Sequence, residues 1–390
     1  MRRRLAICLQ RGTLVTGRGI WKQGTVWMEN GKFTRLERRI PERIPPETDV
    51  IRLPDGSQVF PGFIDLHIHG AAGADVMDAV PEALETIARA LPAEGTTAFL
   101  ATTMTGEPEA IERALENVAR FVSAPGSAEC LGVHLEGPFI HPDRAGAQPK
   151  RHILPPDPSL ARRWQDLAGG RIRLVTLAPE RPGGLELISC FRDLDVIVSI
   201  GHSDATWEVC DRAIAAGASH VTHLFNGMRG LHHREAGVAG AALLREELTV
   251  ELIADGVHVS PPMAGLAYRL ASARRLVLVT DAMRAKCMGD GVFELGGQRV
   301  RVVGNEARLE DGTLAGSVLT MCDAVANMRA FTGCDAEEAA WMTSGNPARI
   351  LGMEHRKGSI EDGKDADLTV LGPDGRVSVT VCRGVVSYSR

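Results

Sequence analysis

Between residues 62 and 280 the chain alternates two kinds of stretch. Short runs dominated by apolar and β-branched residues fall near 62–68, 96–102, 130–135, 171–177, 195–201, 219–223, 248–253 and 275–280. Their length and composition read as buried strands. Stretches with apolar residues at helical spacing fall between several of them, at 81–92, 107–122, 183–193, 204–216 and 261–273. In the 204–216 helix, Asp204 is available as an N-terminal cap and Gly217 as a stop. Further helices follow the eighth strand, near 320–331 and 335–344. Eight strands alternating mostly with helices predict an α/β fold, a (β/α)8 TIM-like barrel over residues 61–350. A doubly wound open sheet is the alternative, and the count of eight favours the barrel.

The flanks have another rhythm. Residues 5–58 show short β runs such as Thr25-Val26-Trp27-Met28, separated by turns at Gly17–Gly19, Asn30-Gly31 and Asp55-Gly56 and by a proline loop at Pro41, Pro45 and Pro46. The C-terminal end repeats this character, with Asp367–Leu371, a turn at Pro373-Asp374-Gly375, Val377–Val381 and Val385-Val386. A small β-sandwich domain assembled from residues 1–60 and 351–390 is the simplest account, since chain termini often lie close together.

The first barrel strand carries the most telling pattern. In Pro61-Gly-Phe-Ile-Asp-Leu-His-Ile-His-Gly70, alternation puts Asp65, His67 and His69 on one face and Ile64, Leu66 and Ile68 on the other. The two imidazoles then stand about 7 Å apart at the strand's C-terminal end, at a rise of ~3.3 Å per residue. Such a pair can begin a divalent-metal site or be two ordinary polar residues, so the matching strand ends decide. The third strand ends at His134-Leu-Glu136, the fifth at Gly201-His202-Ser203, the sixth at Val221-Thr-His223-Leu-Phe-Asn226 and the eighth at Thr280-Asp281. The loop after the seventh adds Asp255-Gly-Val-His258. Active sites of such barrels form at the C-terminal strand ends. His67, His69, Glu136, His202, His223 and Asp281 are ligand types for zinc, iron or manganese. A metal lowers the pKa of bound water toward ~7, and a neighbouring carboxylate, for which Asp281 is best placed, can relay the proton to a leaving group.

Composition narrows the alternatives. With 390 residues, 44% hydrophobic, and a net charge of −5, the chain has a globular make-up and no basic footprint for nucleic acid. No stretch approaches the ~20 apolar residues of a membrane span. Arg2, Arg3 and Arg4 precede an apolar run, Leu5–Leu9, too short for a signal peptide. The eight cysteines include no Cys-x-x-Cys pair, which fits reduced thiols and a cytoplasmic location. Gly358–Gly363-Lys364 begins like a phosphate-binding loop, but Asp365 stands where Ser or Thr is required. Gly201-His-Ser203-Asp-Ala205 imitates a nucleophile elbow, with Asp281 and His355 in order behind it, but His355 falls beyond the barrel.

At these residues the chain resembles the amidohydrolase superfamily and, within it, the N-acetylglucosamine-6-phosphate deacetylases, over roughly residues 10 to 388. The resemblance is carried by Pro61–Gly70, Leu91–Thr97, His134–Phe139, Gly201–Ser203, Val221–Met228, His233-Arg-Glu235, Ile253–His258, Thr280–Ala282 and Leu314–Ser317. It implies one metal held by His67, His69, Glu136 and Asp281, and a second by Glu136, His202 and His223, with Glu136 bridging. Some family members lack the His-x-His pair and use one metal. The implied ion is Zn2+, with Fe2+, Mn2+ or Co2+ as alternatives. The implied reaction releases acetate from N-acetylglucosamine 6-phosphate in amino-sugar catabolism, with Asp281 as ligand and acid/base.

The same resemblance sets Asn226 and Gly227 against the sugar phosphate and Asp255 and His258 at the substrate, with Leu314, Ala315 and Gly316 lining the pocket. Arg234 is expected to bind phosphate in a neighbouring subunit's site, which implies a homodimer. One departure stands out: the family's Gly-Ala-His segment is Gly146-Ala147-Gln148 here, and an amide cannot carry the histidine's charge. Acyl and sugar preference stay open on that account, with N-acetylgalactosamine 6-phosphate as the other sugar. A non-catalytic scaffold is the remaining alternative, against which all six ligand positions speak.

Overall fold

The computed structural model describes residues 4–390. Eight parallel strands pair in chain order: Phe63–Ile68, Thr96–Thr102, Glu129–Glu136, Ile172–Leu177, Ile197–Ile200, Ala218–Val221, Thr249–Leu252 and Leu276–Leu278. They curl into the barrel that the alternation predicts. Past the eighth strand the ladder returns to the first: Asp281 N–H donates to the His67 carbonyl at 2.8 Å, and His69 N–H to the Ala282 carbonyl at 2.9 Å. Below them Asp65 accepts the Thr280 hydroxyl at 2.5 Å and the Thr280 N–H at 3.3 Å. The barrel seam and the His-x-His strand are therefore the same piece of structure.

Helix Pro108–Arg120 shows how the outer layer is encoded. Ile111, Ala114, Leu115 and Val118 recur at helical spacing and are buried, Pro108 opens the first turn, and Arg120 pairs with Glu116 outside. Two helices were not foreseen from the pattern. Pro158–Leu167 is capped by Asp157, whose carboxylate accepts from the N–H groups of Ser159 and Leu160. Gly237–Leu244 is buried almost throughout and lacks a polar face, so its sequence carries no helical period. Helix Trp207–Ala216 ends at Gly217 as expected but is capped by Thr206, not Asp204; Asp204 instead pairs with Arg144 and Arg229. The stretch expected at 335–344 divides into Ala336–Ala340, a wide turn over Trp341–Gly345, and Asn346–Ile350.

The chain ends build two facing sheets. A four-stranded sheet holds Lys32–Glu37, Gly24–Glu29, Arg4–Leu9 and Thr48–Leu53 in that order. Leu5–Leu9 is thus a strand of this sheet, while Arg2 and Arg3 lie outside the described residues. A six-stranded sheet mixes both ends, with Ser57–Pro61 running antiparallel to Leu368–Leu371. Ile7, Val26 and Phe33 of one sheet share an apolar cluster with Leu14, Val59 and Val370 of the other. Ser57–Pro61 continues through Gly62 directly into the first barrel strand. A Cβ at Gly62 would lie 2.2 Å from Thr97 Oγ1, so the passage requires glycine. A third sheet was unforeseen: Gly291–Leu295, Gln298–Val303 and Glu306–Leu309 form an antiparallel insertion after the eighth strand. No helix among the described residues is long and apolar enough to cross a membrane.

A buried ion cluster docks the C-terminal strands on the barrel. Lys357, 2% exposed, reaches Glu129 at 2.8 Å, Asp365 at 3.2 Å and Asp367, while Arg356 pairs with Glu129 and Asp365. Burial pushes the Glu129 and Asp365 carboxyls up, but Lys357 and Arg356, with Lys32 at Asp365, bring both below the ordinary range. Stability from such depressed carboxylates is present above the unfolded value of about 4 and is lost as pH falls through the folded values. Lys357→Met should therefore cost about 3 kcal/mol near neutral pH. It should also flatten the acid side of the stability profile, both read from urea midpoints; a variant as stable as the parent would refute the docking role.

Candidate metal centre and catalytic cleft

Six side chains from five strand ends converge at the barrel mouth. Glu136 is at the centre. Its Oε1 lies 3.0 Å from His202 Nε2, 3.1 Å from His223 Nε2 and 3.4 Å from His67 Nε2, and its Oε2 lies 3.2 Å from His69 Nε2. Asp281 Oδ1 sits 3.4 Å from His67 Nε2 and 3.2 Å from His69 Nε2, and the His202 and His223 Nε2 atoms face each other at 3.0 Å. Several of these separations are long for hydrogen bonds. They match the edge of a tetrahedral metal site, about 3.3 Å for ligand bonds near 2.0–2.1 Å. His67 Nε2 is buried and has no hydrogen-bond partner, as a lone pair meant for a cation requires. His202 Nδ1 lies 2.8 Å from the Arg144 carbonyl and must donate to it, which leaves Nε2 unprotonated toward the centre. The donors thus fit two cation positions sharing Glu136.

The local backbone is bent to this end. His202, His223 and Asp281 have φ of +47°, +28° and +49°, a region that L-residues seldom occupy and that costs about 1–3 kcal/mol each. Gly201 precedes His202 because a Cβ there would come within 2.7 Å of Thr176 and Thr222.

The charges at the centre are strongly coupled. Burial opposes charge on His67, but Glu136, Asp281 and Glu251 raise its pKa well above the usual imidazole value. Against the same burial, hydrogen bonds donated to Asp281 and Glu136 lift His69 to about 9. Burial pushes Glu136 and Asp281 upward, yet the histidines, His67 foremost, bring both below their ordinary values. A field this negative in a desolvated site favours added positive charge, the condition a divalent cation satisfies. His134 takes no part: burial and the neighbouring His67 depress it to about 3, and its ring nitrogens contact Thr176 Oγ1 at 2.7 Å and the Leu66 carbonyl at 3.2 Å.

Above the centre lies a cleft of about 210 Å3, floored by His69, Glu136, His202, His223 and Asp281. Ala147, Gln148, Asn226, Gly227, His258, Leu314 and Gly316 line it, together with Met104, Leu295 and Thr313, which sequence reasoning missed. Leu295 belongs to the inserted sheet and Thr313 to the segment just after it; the alternation of buried Val300 and Val302 with exposed Arg299 and Arg301 was the available signal for that sheet. His67 lies beneath the floor, and Ala315 is buried against Met104 and Met283. Asp255 stands behind His258: its Oδ2 takes the ring Nδ1–H at 2.6 Å, and its Oδ1 accepts the backbone N–H groups of Val257 and His258.

Arg234 is exposed, outside this cleft, with its guanidinium 2.8 Å from His233 Nε2. Gln148 is held at both ends: Oε1 accepts the Thr105 N–H at 2.8 Å, which turns Nε2 onto Glu136 Oε2 at 2.6 Å. Gly227 has φ +55°, and a Cβ there would sit 2.9 Å from His202 Nδ1. The loop 138–158 is fastened to the site by His141 N–H on the His202 carbonyl and by Gln298 on the Ala147 carbonyl. Ser203 offers no nucleophile: its hydroxyl donates to Glu180 at 2.7 Å, and His355 is exposed elsewhere.

Comparison with known proteins agrees with this architecture. The pattern of the amidohydrolase family matches residues 58–386. An N-acetylglucosamine-6-phosphate deacetylase from Bacillus subtilis (strain 168) is 47% identical over 96% of this chain and 95% of its own length. An N-acetylgalactosamine-6-phosphate deacetylase from Escherichia coli O157:H7 is 39% identical over 88% of this chain and 91% of its own. A solved structure of a Mycobacterium smegmatis N-acetyl-D-glucosamine-6-phosphate deacetylase variant in complex with N-acetyl-D-glucosamine-6-phosphate superposes with a TM-score of 0.93, at 32% identity, covering 99% of this chain and 100% of that one.

Chelator-stripped protein should melt higher when Zn2+ is restored, by about 2.7 kcal/mol of stabilisation at a hundredfold excess over Kd. Replacing His67 and His69 together by alanine should lower the metal content found by elemental analysis without abolishing it. Complete loss of metal would show that Glu136, His202 and His223 do not hold a cation unaided.

Proposed function

The chain belongs to the amidohydrolase family, and from that premise we propose that this cleft hydrolyses the acetamide of N-acetylglucosamine 6-phosphate to glucosamine 6-phosphate and acetate. The observation that carries the reading is the Glu136 carboxylate set between two groups of candidate ligands, with His202, His223 and His67 near Oε1 and His69 near Oε2, in a fold shared end to end with deacetylases of this substrate. Glu136, His202 and His223 would hold one divalent cation, and His67, His69, Asp281 and Glu136 another; the nitrogen and carboxylate donors suit Zn2+, with Fe2+, Mn2+ or Co2+ as alternatives. A cation there supplies an acidified water and polarises the acetyl carbonyl.

The remaining work falls to the chain. Asp281, kept anionic beside His67 and His69 and facing the cleft, takes the proton of the attacking water and returns it to the departing amine. Asp255 holds the His258 ring by Nδ1 and leaves Nε2 for the sugar. Gln148 spends one amide hydrogen on Glu136 and has a second for the acyl group. Asn226 donates its amide to the Leu224 carbonyl at 3.2 Å, which fixes its side chain beside Gly227 at the phosphate end. Arg234, exposed and outside its own cleft, serves the site of a second subunit in a homodimer. The eight free cysteines, seven of them buried, support a cytoplasmic enzyme.

Asp281→Asn should lower turnover about 100- to 10,000-fold while metal stays bound at the Glu136 side; near-normal turnover would sink the acid/base assignment. A panel of N-acetylglucosamine and N-acetylgalactosamine, each with and without the 6-phosphate, tests the substrate. The phosphorylated gluco sugar should have the highest kcat/KM. Arg234→Ala should raise KM for phosphorylated sugars alone, and an equal effect on both classes would remove the arginine from the phosphate.

A further inference from the structure

Glu251 belongs to none of the ligand sets above. It lies on the seventh barrel strand, between Val250 and Leu252, and is fully buried. A carboxylate in that position needs partners on every lone pair it exposes, and the partners it has are informative. Oε2 accepts the Nδ1–H of His67 at 3.0 Å and the backbone N–H of His223 at 3.2 Å. Oε1 meets His220 Nε2 at 3.1 Å, and His220 Nδ1 lies 2.6 Å from Thr249 Oγ1. One oxygen therefore touches one member of each ligand set: the ring of His67 in the first, the main chain of His223 in the second.

From this geometry we infer that Glu251 is a positioning residue for both halves of the metal centre at once. Toward His67 it fixes the tautomer, since a carboxylate can only accept; Nδ1 carries the proton and Nε2 turns its lone pair to the space between Asp281 and Glu136, where a cation would sit. Toward His223 it supplies the acceptor that compensates a left-handed backbone at φ +28°, and so holds the strand end in the conformation that aims the ring at His202. His220 braces the carboxylate from the far side. The two cation positions are thus coupled beneath the floor by Glu251 as well as within it by Glu136.

The inference rests on the metal reading of the site, and its test separates the two. Glu251→Met keeps the volume and removes the acceptor. Glu251→Gln keeps an acceptor for His67 and His223 by turning its NH2 toward His220, which can change tautomer. Both are compared with the parent for Zn2+ affinity by chelator competition and for metal content by elemental analysis. Circular dichroism confirms the fold. Glu251→Met should bind roughly 10- to 100-fold more weakly, and Glu251→Gln should restore most of the loss.

The same change in a chain already lacking His67 and His69 should still weaken the remaining site, because His223 is also held. Parent-like affinity in Glu251→Met, or no further loss in that background, overturns the inference. Should Glu251→Met not fold, Glu251→Asp withdraws the same acceptor by one methylene; it should show a smaller loss, and undiminished affinity overturns the claim. If the parent itself takes up no Zn2+, the metal reading fails and this inference with it, whatever the deacetylation assays show.

Discussion

Three carboxylates buried together at the mouth of a barrel set the terms for everything around them. Glu136, Asp281 and Glu251 are each withdrawn from water and each stays ionised. That arrangement is tolerable only where positive charge and donated hydrogen bonds meet every exposed lone pair. The imidazoles of His67, His69, His202 and His223 supply the nitrogen side, and left-handed backbone at His202 and His223 brings those two within reach. Deeper in the barrel the same problem is solved differently. Lys286, fully buried, bonds Glu94 at 2.7 Å, and its charge also offsets the burial of Asp65, the residue that closes the seam. A fixed lysine serves where no chemistry happens, and an exchangeable cation position is kept where it does.

Much of this was legible in the residues. The alternation of apolar runs located all eight barrel strands, because buried parallel strands must be apolar on both faces and loops between them must not. The six candidate ligand positions, which the barrel brings together, were legible for the same reason: a histidine or carboxylate at the end of such a run breaks its pattern. What failed to show had physical causes too. Gly237–Leu244 has no polar face, so periodicity could not reveal it as a helix. Asp204 looks like a cap from its neighbours, but two arginines distant in sequence claim its carboxylate. Glu251 stood in plain view as a charge inside an apolar strand, yet its partners lie 28, 31 and 184 residues away, and only the closed barrel brings them together.

The small β-sandwich bears on the site through continuity of the chain. Ser57–Pro61 pairs with the C-terminal strand Leu368–Leu371 and then runs, across a single glycine, into the strand that carries His67 and His69. Lys357 and its acidic partners tie the same C-terminal segment to Glu129, at the start of the strand that ends in Glu136. Two of the strands that deliver ligands are thus anchored at their far ends by elements close to the chain's end.

The antiparallel insertion that brings Leu295 to the cleft shares no strand with the barrel and contributes none of the candidate ligands. Its grip on the catalytic floor is indirect, through Gln298 on the Ala147 carbonyl, one residue from Gln148. Part of the cleft's wall and the candidate ligands of its floor therefore belong to separate modules. The insertion can lengthen or change its sequence, and with it one wall of the cleft, without displacing any strand that carries a candidate ligand.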